Sequence, residues 1–299
     1  MCGCVHLFSD LAQESHVTNL AVLSALVVFI SSFDADPQAD ALVKQMLSTW
    51  SQVSTLAFRM EKTERMCDGE VTFEEVNVKL RNPGDVYLGN IKPKPGQEAI
   101  YAPSRNKGEL VAHQGSFPDV TVNLSIYGAL ATKGQHHIIT HSGFAYLFDL
   151  VRTSLSRARK NPNGERLEFG GTLDFHGRPA KSVILHAGNN APAQVTAKED
   201  ESLFRFASKA GADPFVIAYY NEDLDALTDT VDAGDTLSVP AYYGKKIEFI
   251  VDVATNLPLR TTIWGFDDHI YERFEYFDMK VNPPLTDLDF DRENPAYNF

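Results

Sequence analysis

Three histidines fall close together in the chain, His136, His137 and His141. Residues four apart share a face on a helix, so His137 and His141 have the spacing of a metal-ligating pair. The residues between them, Ile138-Ile139-Thr140, are β-branched and disfavour a helix there. Thr140 is therefore expected to cap a helix opening at Gly143, and His136-His137 to hold a turn by hydrogen bonds. No metal ligand set and no cofactor is predicted. Lys79 and Arg81 share one parity of a strand, opposite Val78 and Leu80, and form a candidate anion contact. An ion-paired or solvated sheet face is the alternative reading of that pair. Cys67 carries no local sign of activation. The sequence contains no G-x-S-x-G, H-E-x-x-H, P-loop or G-x-G-x-x-G pattern. With 40 acidic residues, paired carboxylates alone are uninformative. No catalytic residues and no enzyme are predicted.

The elements that would carry these groups follow from periodicity. Ala41, Leu42, Met46, Leu47, Trp50 and Val53 recur at helical spacing over 37–53, behind Asp36-Pro37, a cap and first-turn proline. Residues 56–65 and 71–81 read as strands joined at Asp68-Gly69, a hairpin dipeptide. Turns at Asn82-Pro83-Gly84 and at 93–96 separate further short strands, the pattern of an antiparallel meander. A helix is expected over 143–159, with Phe144, Leu147, Phe148, Val151 and Leu155 on one face and basic residues in its last turns. Strands resume at 166–175 and 181–186. After a long interruption they return at 246–253, 259–266 and 270–281. The aromatics Trp264, Phe266, Tyr271, Phe274, Tyr276 and Phe277 would either fill a core or line a lipid cavity.

The chain has 299 residues, 43% of them apolar, and a formal net charge of -13. That charge leaves no phosphate-neutralising surface, so no nucleic-acid partner is expected. Residues 20–33 form an apolar run of signal-peptide length, and 1–36 are expected to be a removable N-terminal segment. No Lys or Arg precedes Lys44, so the basic start usual for such a segment is lacking. The expected location is the periplasm or cell envelope.

The interruption has its own pattern. Val195-Thr196 leads to an acidic turn at Glu199-Asp200-Glu201. Ser202-Leu203 opens a helix, and Gly211-Ala212-Asp213-Pro214 turns into a second helix ending near Asn221. Gly234-Asp235 then leads to Leu237-Ser238-Val239-Pro240. This order resembles a LysM module over 194–240. The resemblance implies binding of N-acetylglucosamine-containing glycan, such as peptidoglycan, in a groove between two turns. Carried over by motif, those turns are Asp200, Glu201, Ser202, Leu203 and Phe204, and Leu227, Thr228, Asp229, Thr230 and Val231. The stretch holds ten acidic side chains against three basic ones, which opposes approach to an anionic wall.

The flanks resemble a second family. Val78-Lys79-Leu80-Arg81-Asn82-Pro83, Gly96-Gln97-Glu98-Ala99-Ile100-Tyr101, Gly134-Gln135-His136-His137-Ile138, and Leu285-Thr286-Asp287 with Asp289-Phe290-Asp291 look like DUF1571, a bacterial family related to the LolA/LolB lipoprotein carriers. The resemblance implies an α+β fold, a curved antiparallel half-barrel wrapped over helices, formed by 37–193 and 241–299 with 194–240 inserted. The function expected is a non-enzymatic exported binding protein, holding a hydrophobic ligand or lipoprotein acyl chain and anchored at peptidoglycan. Two alternatives stay open. An enzyme on a cell-wall glycan or lipid-linked substrate would show converging, shifted carboxylates or His136 and His137 in a cleft. A structural protein would show a filled half-barrel.

Overall fold

The computed structural model describes residues 33–299 apart from 67, 133, 190, 222, 223 and 225–228. Cys67 and most of the apolar run at 20–33 therefore lie outside the described residues. In chain order the elements are β1 (Asp34–Ala35), α1 (Pro37–Trp50), β2 (Thr55–Arg65), β3 (Val71–Arg81), β4 (Asp85–Lys92), β5 (Glu98–Tyr101), β6 (Leu110–His113), β7 (Thr121–Leu124), α2 (Ala129–Thr132), α3 (Ala145–Lys160), β8 (Arg166–Phe175) and β9 (Arg178–His186). There follow β10 (Ala193–Thr196), β11 (Glu201–Ser202), α4 (Leu203–Ala210), α5 (Pro214–Tyr219), β12 (Thr230–Val231), β13 (Thr236–Val239), β14 (Lys246–Asp252), β15 (Pro258–Trp264) and β16 (Ile270–Val281).

Twelve strands form one curved, unclosed sheet in the order β1-β8-β9-β14-β15-β16-β2-β3-β4-β5-β6-β7. All its ladders are antiparallel except the short parallel pairing of β1 with β8. The α+β fold expected from the sequence is the one observed. Asp34 and Ala35, assigned by sequence to the N-terminal segment, belong to this sheet.

One face of the sheet packs on α1 and α3. The alternation read from sequence does the work: Leu56, Phe58 and Met60 on β2, and Val76, Val78 and Leu80 on β3, point into the core. They meet Met46 and Trp50 of α1 and Phe148 and Val151 of α3. Trp50 stands edge-on to Phe144 and Phe148, with ring centroids 5.7 and 6.0 Å away. The Asp36 side chain accepts from the amides of Gln38 and Ala39, so the expected cap of α1 is present. α3 differs from expectation. It starts at Ala145 with Phe144 at its cap and no side-chain cap bond, while Thr140 lies in a 3-10 turn, Ile139–His141. Burial of Phe144 in the core fixes that start in place of a hydroxyl cap.

The chain leaves the sheet after β9 and re-enters it at β14, the strand hydrogen-bonded to β9. Between them lies a compact unit. β10 pairs with β13, β11 pairs with β12, and α4 and α5 lie between. Leu203, Phe206, Phe215, Ile217, Val231 and Leu237 make its separate core. The Ser202 hydroxyl accepts from the Arg205 amide at the start of α4, and Gly211 ends that helix at φ 69°. A left-handed φ of this kind suits glycine.

The unit is seated firmly on the sheet domain. Val216 belongs to the main core. Phe204 packs edge-on against Tyr127 at 5.3 Å, and Tyr219 against Tyr271 at 5.7 Å. Asp213 caps α5, accepting from the amides of Phe215 and Val216 at 2.9 and 3.0 Å, and its other oxygen accepts from the Tyr146 hydroxyl of α3. One buried carboxylate thus ends a helix and joins the two parts.

Asp213→Ala removes the cap and strands the Tyr146 hydroxyl, whereas Asp213→Asn keeps an acceptor for the amides. We expect losses of about 3 kcal/mol for alanine and about 1 kcal/mol for asparagine in urea denaturation. Losses that are equal and below about 0.5 kcal/mol would remove the clamp.

Candidate functional site

The core face of β2 stays buried along its length but changes character. Leu56, Phe58 and Met60 are followed at the same parity by Lys62, 6% exposed, and Glu64, 0% exposed. β16 does the same: Tyr276 and Phe274 are followed by Glu272, 0% exposed. On β3, Val78 and Val76 are followed by the partly buried Glu74. Register brings these polar ends together, since Glu64 lies directly opposite Glu272 and Lys62 directly opposite Glu74.

The segment from Gly134 to His141 closes over this patch. Lys62 Nζ stands 2.9 Å from Glu74 Oε2 and 3.1 Å from Glu64 Oε2, and it donates to Gln135. Gln135 donates in turn to Glu74 at 3.0 Å. Three groups converge on one oxygen of Glu272. His136 Nδ1 is 2.9 Å from Oε1, His137 Nε2 is 3.0 Å away, and the Tyr243 hydroxyl donates to it at 2.8 Å. Among the described residues, Glu272 Oε2 and both oxygens of Glu64 are buried without a hydrogen-bond partner. His136 stacks on Tyr271 at 4.4 Å and His141 on Tyr146 at 3.8 Å.

The electrostatics follow from burial and neighbours. Burial works to raise the Glu272 carboxyl, but the charge of His137 and the hydrogen bonds of both histidines outweigh it and hold it far below the usual range. Burial works against protonated His137, but the charge of Glu272 prevails and its pKa is raised. His141 goes the other way, lowered to about 3 by burial and then by the charge of His137. Burial raises Asp213, Tyr146 and Tyr243.

Beside this cluster lies a cavity of ≈ 600 Å³ between the sheet and the 130–147 segment. Met60, Val76, Leu88, Ala99, Ala112 and Leu124 give it apolar lining, and Lys62, Glu74, Asn90, Glu98, Gln135, His137 and His141 give it polar lining. Of the six aromatics singled out by sequence, Phe274 and Tyr276 line the cavity. Trp264 and Phe277 instead receive Lys246 and Arg59 on their ring faces.

The remaining predicted residues have definite places. Lys79 pairs with Asp289 at 2.8 Å, and Arg81 with Asp85 and Asp287 at 2.6 and 2.8 Å, so both cations are engaged within the chain. Pairing of β11 with β12 brings Glu201-Ser202 beside Thr230-Val231. Leu203 and Val231 face the core of the inserted unit, and Glu201 is buried against Lys209 at 2.7 Å. Phe204 points toward the sheet domain, Asp200 accepts from the Ala233 amide, and the backbone of Asp229 accepts from Leu203. Ser202 and Thr230 are exposed. Leu227 and Thr228 lie outside the described residues. His136 and His137, read as holding a turn, do so through Glu272. Sequence reasoning missed Lys62, Glu64, Glu74, Tyr243 and Glu272. The available signal was charge at core parity, in Leu56-x-Phe58-x-Met60-x-Lys62-x-Glu64 and Glu272-x-Phe274-x-Tyr276.

A family profile described as "Protein of unknown function (DUF1571)" matches residues 53–204 and 234–299. The chain belongs to the DUF1571 family. The match breaks off between 204 and 234, within the inserted unit, and spans the sheet, the histidine segment and the cavity walls. Among solved structures the chain is similar to MucB, with 12% identity over 86% of this chain and 63% of that one and a TM-score of 0.38. It thus spans less than two thirds of MucB. It is also similar to a LolA superfamily protein from Nitrosomonas europaea (10% identity, 85% of this chain, 97% of that one, TM-score 0.31) and to the Mycobacterium tuberculosis lipoprotein LppX (11%, 86%, 100%, 0.35). No curated protein matches. Among the described residues, no helix is long and apolar enough to cross a membrane.

The lowered His141 gives a pH test. The folded ring stays neutral down to about pH 3, whereas the unfolded chain takes up that proton near pH 6.5. Its contribution is therefore complete above about pH 6.5 and is lost as pH falls toward 3. His141→Phe keeps an aromatic on Tyr146 and removes the titration. Between pH 7 and 4.5 the wild type should lose about 2 kcal/mol more stability than the variant. Parallel pH profiles would contradict the assignment.

Proposed function

We propose that this DUF1571 chain is a non-enzymatic binding protein of the cell envelope that holds a hydrophobic ligand, an acyl chain or lipid with a polar head, in the cavity beneath its sheet. The observation that carries the reading is a cavity beneath the sheet whose lining combines apolar side chains, Val76, Ala99 and Ala112 among them, with polar ones that include Lys62, Gln135 and His137. Its ≈ 600 Å³ lies within the range of small-molecule sites. An apolar chain would lie along Val76, Ala99 and Ala112, with its head toward Lys62. The wild type should bind a fluorescent long-chain fatty-acid analogue. Ala112→Trp, which fills the cavity, should weaken that binding at least about tenfold with unchanged circular dichroism. A wild type that takes up no such probe, and carries no lipid in native mass spectrometry after purification from its own envelope, would end this reading.

The inserted unit is read as a LysM-like module that holds the protein at peptidoglycan. Its strand-helix-helix-strand order, the Ser202 cap and the positive φ of Gly211 and Gly234 support this. The two turns carried over from the resemblance adjoin through β11 and β12, with Ser202 and Thr230 at the surface. In a peptidoglycan pull-down the wild type should be retained, and Thr230→Glu, an exposed change, should be retained at least about tenfold less. Equal retention of the two, or none of either, refutes the anchoring role.

One observation favours an enzyme as a second reading: His137 and Glu272, both with shifted pKa values, converge with His136, and His137 lines the cavity. Against it, the hydrogen-bond partners of His136 and His137 among the described residues are Glu272, His141 and Tyr243. None of these is an activated hydroxyl or thiol nucleophile.

A further inference from the structure

Glu64 and Glu272 are cross-strand partners in the middle of the sheet, and both are 0% exposed. Like charges directly opposite each other destabilise a ladder. Burying a carboxylate costs several kcal/mol unless an opposite charge and hydrogen bonds meet it. Glu272 Oε1 is met three times over, yet among the described residues Glu272 Oε2, Glu64 Oε1 and Glu64 Oε2 have no hydrogen-bond partner. Lys62 Nζ pairs with Glu64 Oε2 at 3.1 Å and with Glu74 Oε2 at 2.9 Å and donates to Gln135, so one cation is shared between two carboxylates. Three lone-pair-bearing oxygens thus face inward beside the ring of His136. One ligand atom from each of Glu64, His136 and Glu272 lies within 4.8 Å of the others.

We propose that Glu64, His136 and Glu272 form a binding site for one divalent transition-metal ion of the Zn²⁺ or Mn²⁺ class. An ion held at about 2.0–2.2 Å by each of three donors sets them roughly 3–4 Å apart, so a small contraction of the present arrangement completes the set. One imidazole nitrogen with two carboxylate oxygens is a borderline donor set that suits Zn²⁺ and Mn²⁺ better than Ca²⁺, which takes six or more oxygens. The ion answers the charge balance, in which Glu64, Glu74 and Glu272 crowd around Lys62 and the two histidines. It also gives the orphaned oxygens a partner and leaves Lys62 to Glu74 and Gln135. Tyr243 and His137 on Glu272 Oε1 orient that carboxylate, as outer partners of metal ligands do. A route in exists, because Lys62, Gln135 and His137 are at once neighbours of the site and walls of the cavity. Bound there, the ion would tie β2, β16 and the histidine segment together beside the cavity.

The test uses the full chain, stripped with a chelator and titrated separately with Zn²⁺ and Mn²⁺ by calorimetry, with metal content read by mass spectrometry. One equivalent of at least one of the two ions per chain is expected, with a dissociation constant in the micromolar range or below and a rise in Tm. Glu64→Gln and Glu272→Gln keep the side-chain shape and should each weaken binding about a hundredfold and abolish the rise in Tm. Binding of neither ion, or unchanged affinity in both variants, overturns the proposal. If either variant fails to fold, X-ray absorption of the loaded wild type decides: oxygen and nitrogen neighbours with one imidazole support the site. Sulfur neighbours, from the chain's three cysteines, overturn it.

Discussion

The constraint on which the rest depends is the cost of placing charge in the interior of a sheet. β2 and β16 each carry a glutamate onto the core face, and register sets the two directly opposite one another. A carboxylate without solvent must be met by other groups. The surrounding structure is arranged to meet it: His136 and His137 come from a closing segment, Lys62 from the neighbouring core-face position on β2, and Tyr243 from the stretch before β14. The segment that carries the histidines is also a wall of the cavity, so the polar cluster and the space beside it share one support.

The inserted unit joins this arrangement. Phe215 at the start of α5 lies 6.4 Å from the His136 ring, and Asp213 two residues earlier holds Tyr146, which stacks on His141. Side chains of the insertion therefore back the histidines from the side away from the sheet. The unit has its own core, yet Val216 completes the main one. A change within the insertion reaches the cluster through two or three packed side chains.

Much of the fold was legible. The helical spacing before Trp50, the alternation of β2 and β3, and the Asp36-Pro37 start are local signals, and local signals survive without an alignment. The order of elements in the insertion was legible for the same reason, because Ser202, Gly211 and Gly234 each mark a change of backbone direction. β6 and β7 were not read, being four-residue strands set among turn residues, too short to show a period. The site was half legible. His136 and His137 stood out by type, but their partner did not, since Glu272 lies 136 residues beyond His136. Nothing local encodes which strand lies beside β2, and without that pairing Glu64 and Glu272 read as two unremarkable acids among 40. The start of α3 was misplaced because tertiary burial of Phe144 outweighed a plausible hydroxyl cap.

The strand order has one more consequence, for the chain while it is being made. The sheet consists of a six-strand meander, β2 to β7, and a later five-strand antiparallel run, β8, β9, β14, β15 and β16, edged by β1 and joined to the first where β16 meets β2. The partner of β2 on that side is the last strand among the described residues, so during synthesis the first meander forms with one flank bare. That flank is an eleven-residue strand, a ready template for pairing with another chain. Arg59, Glu61, Lys62 and Glu64 set charge on both of its faces, the means by which sheets discourage edge-to-edge association. The charges that are costly to bury in the finished protein thus guard its longest unfinished edge.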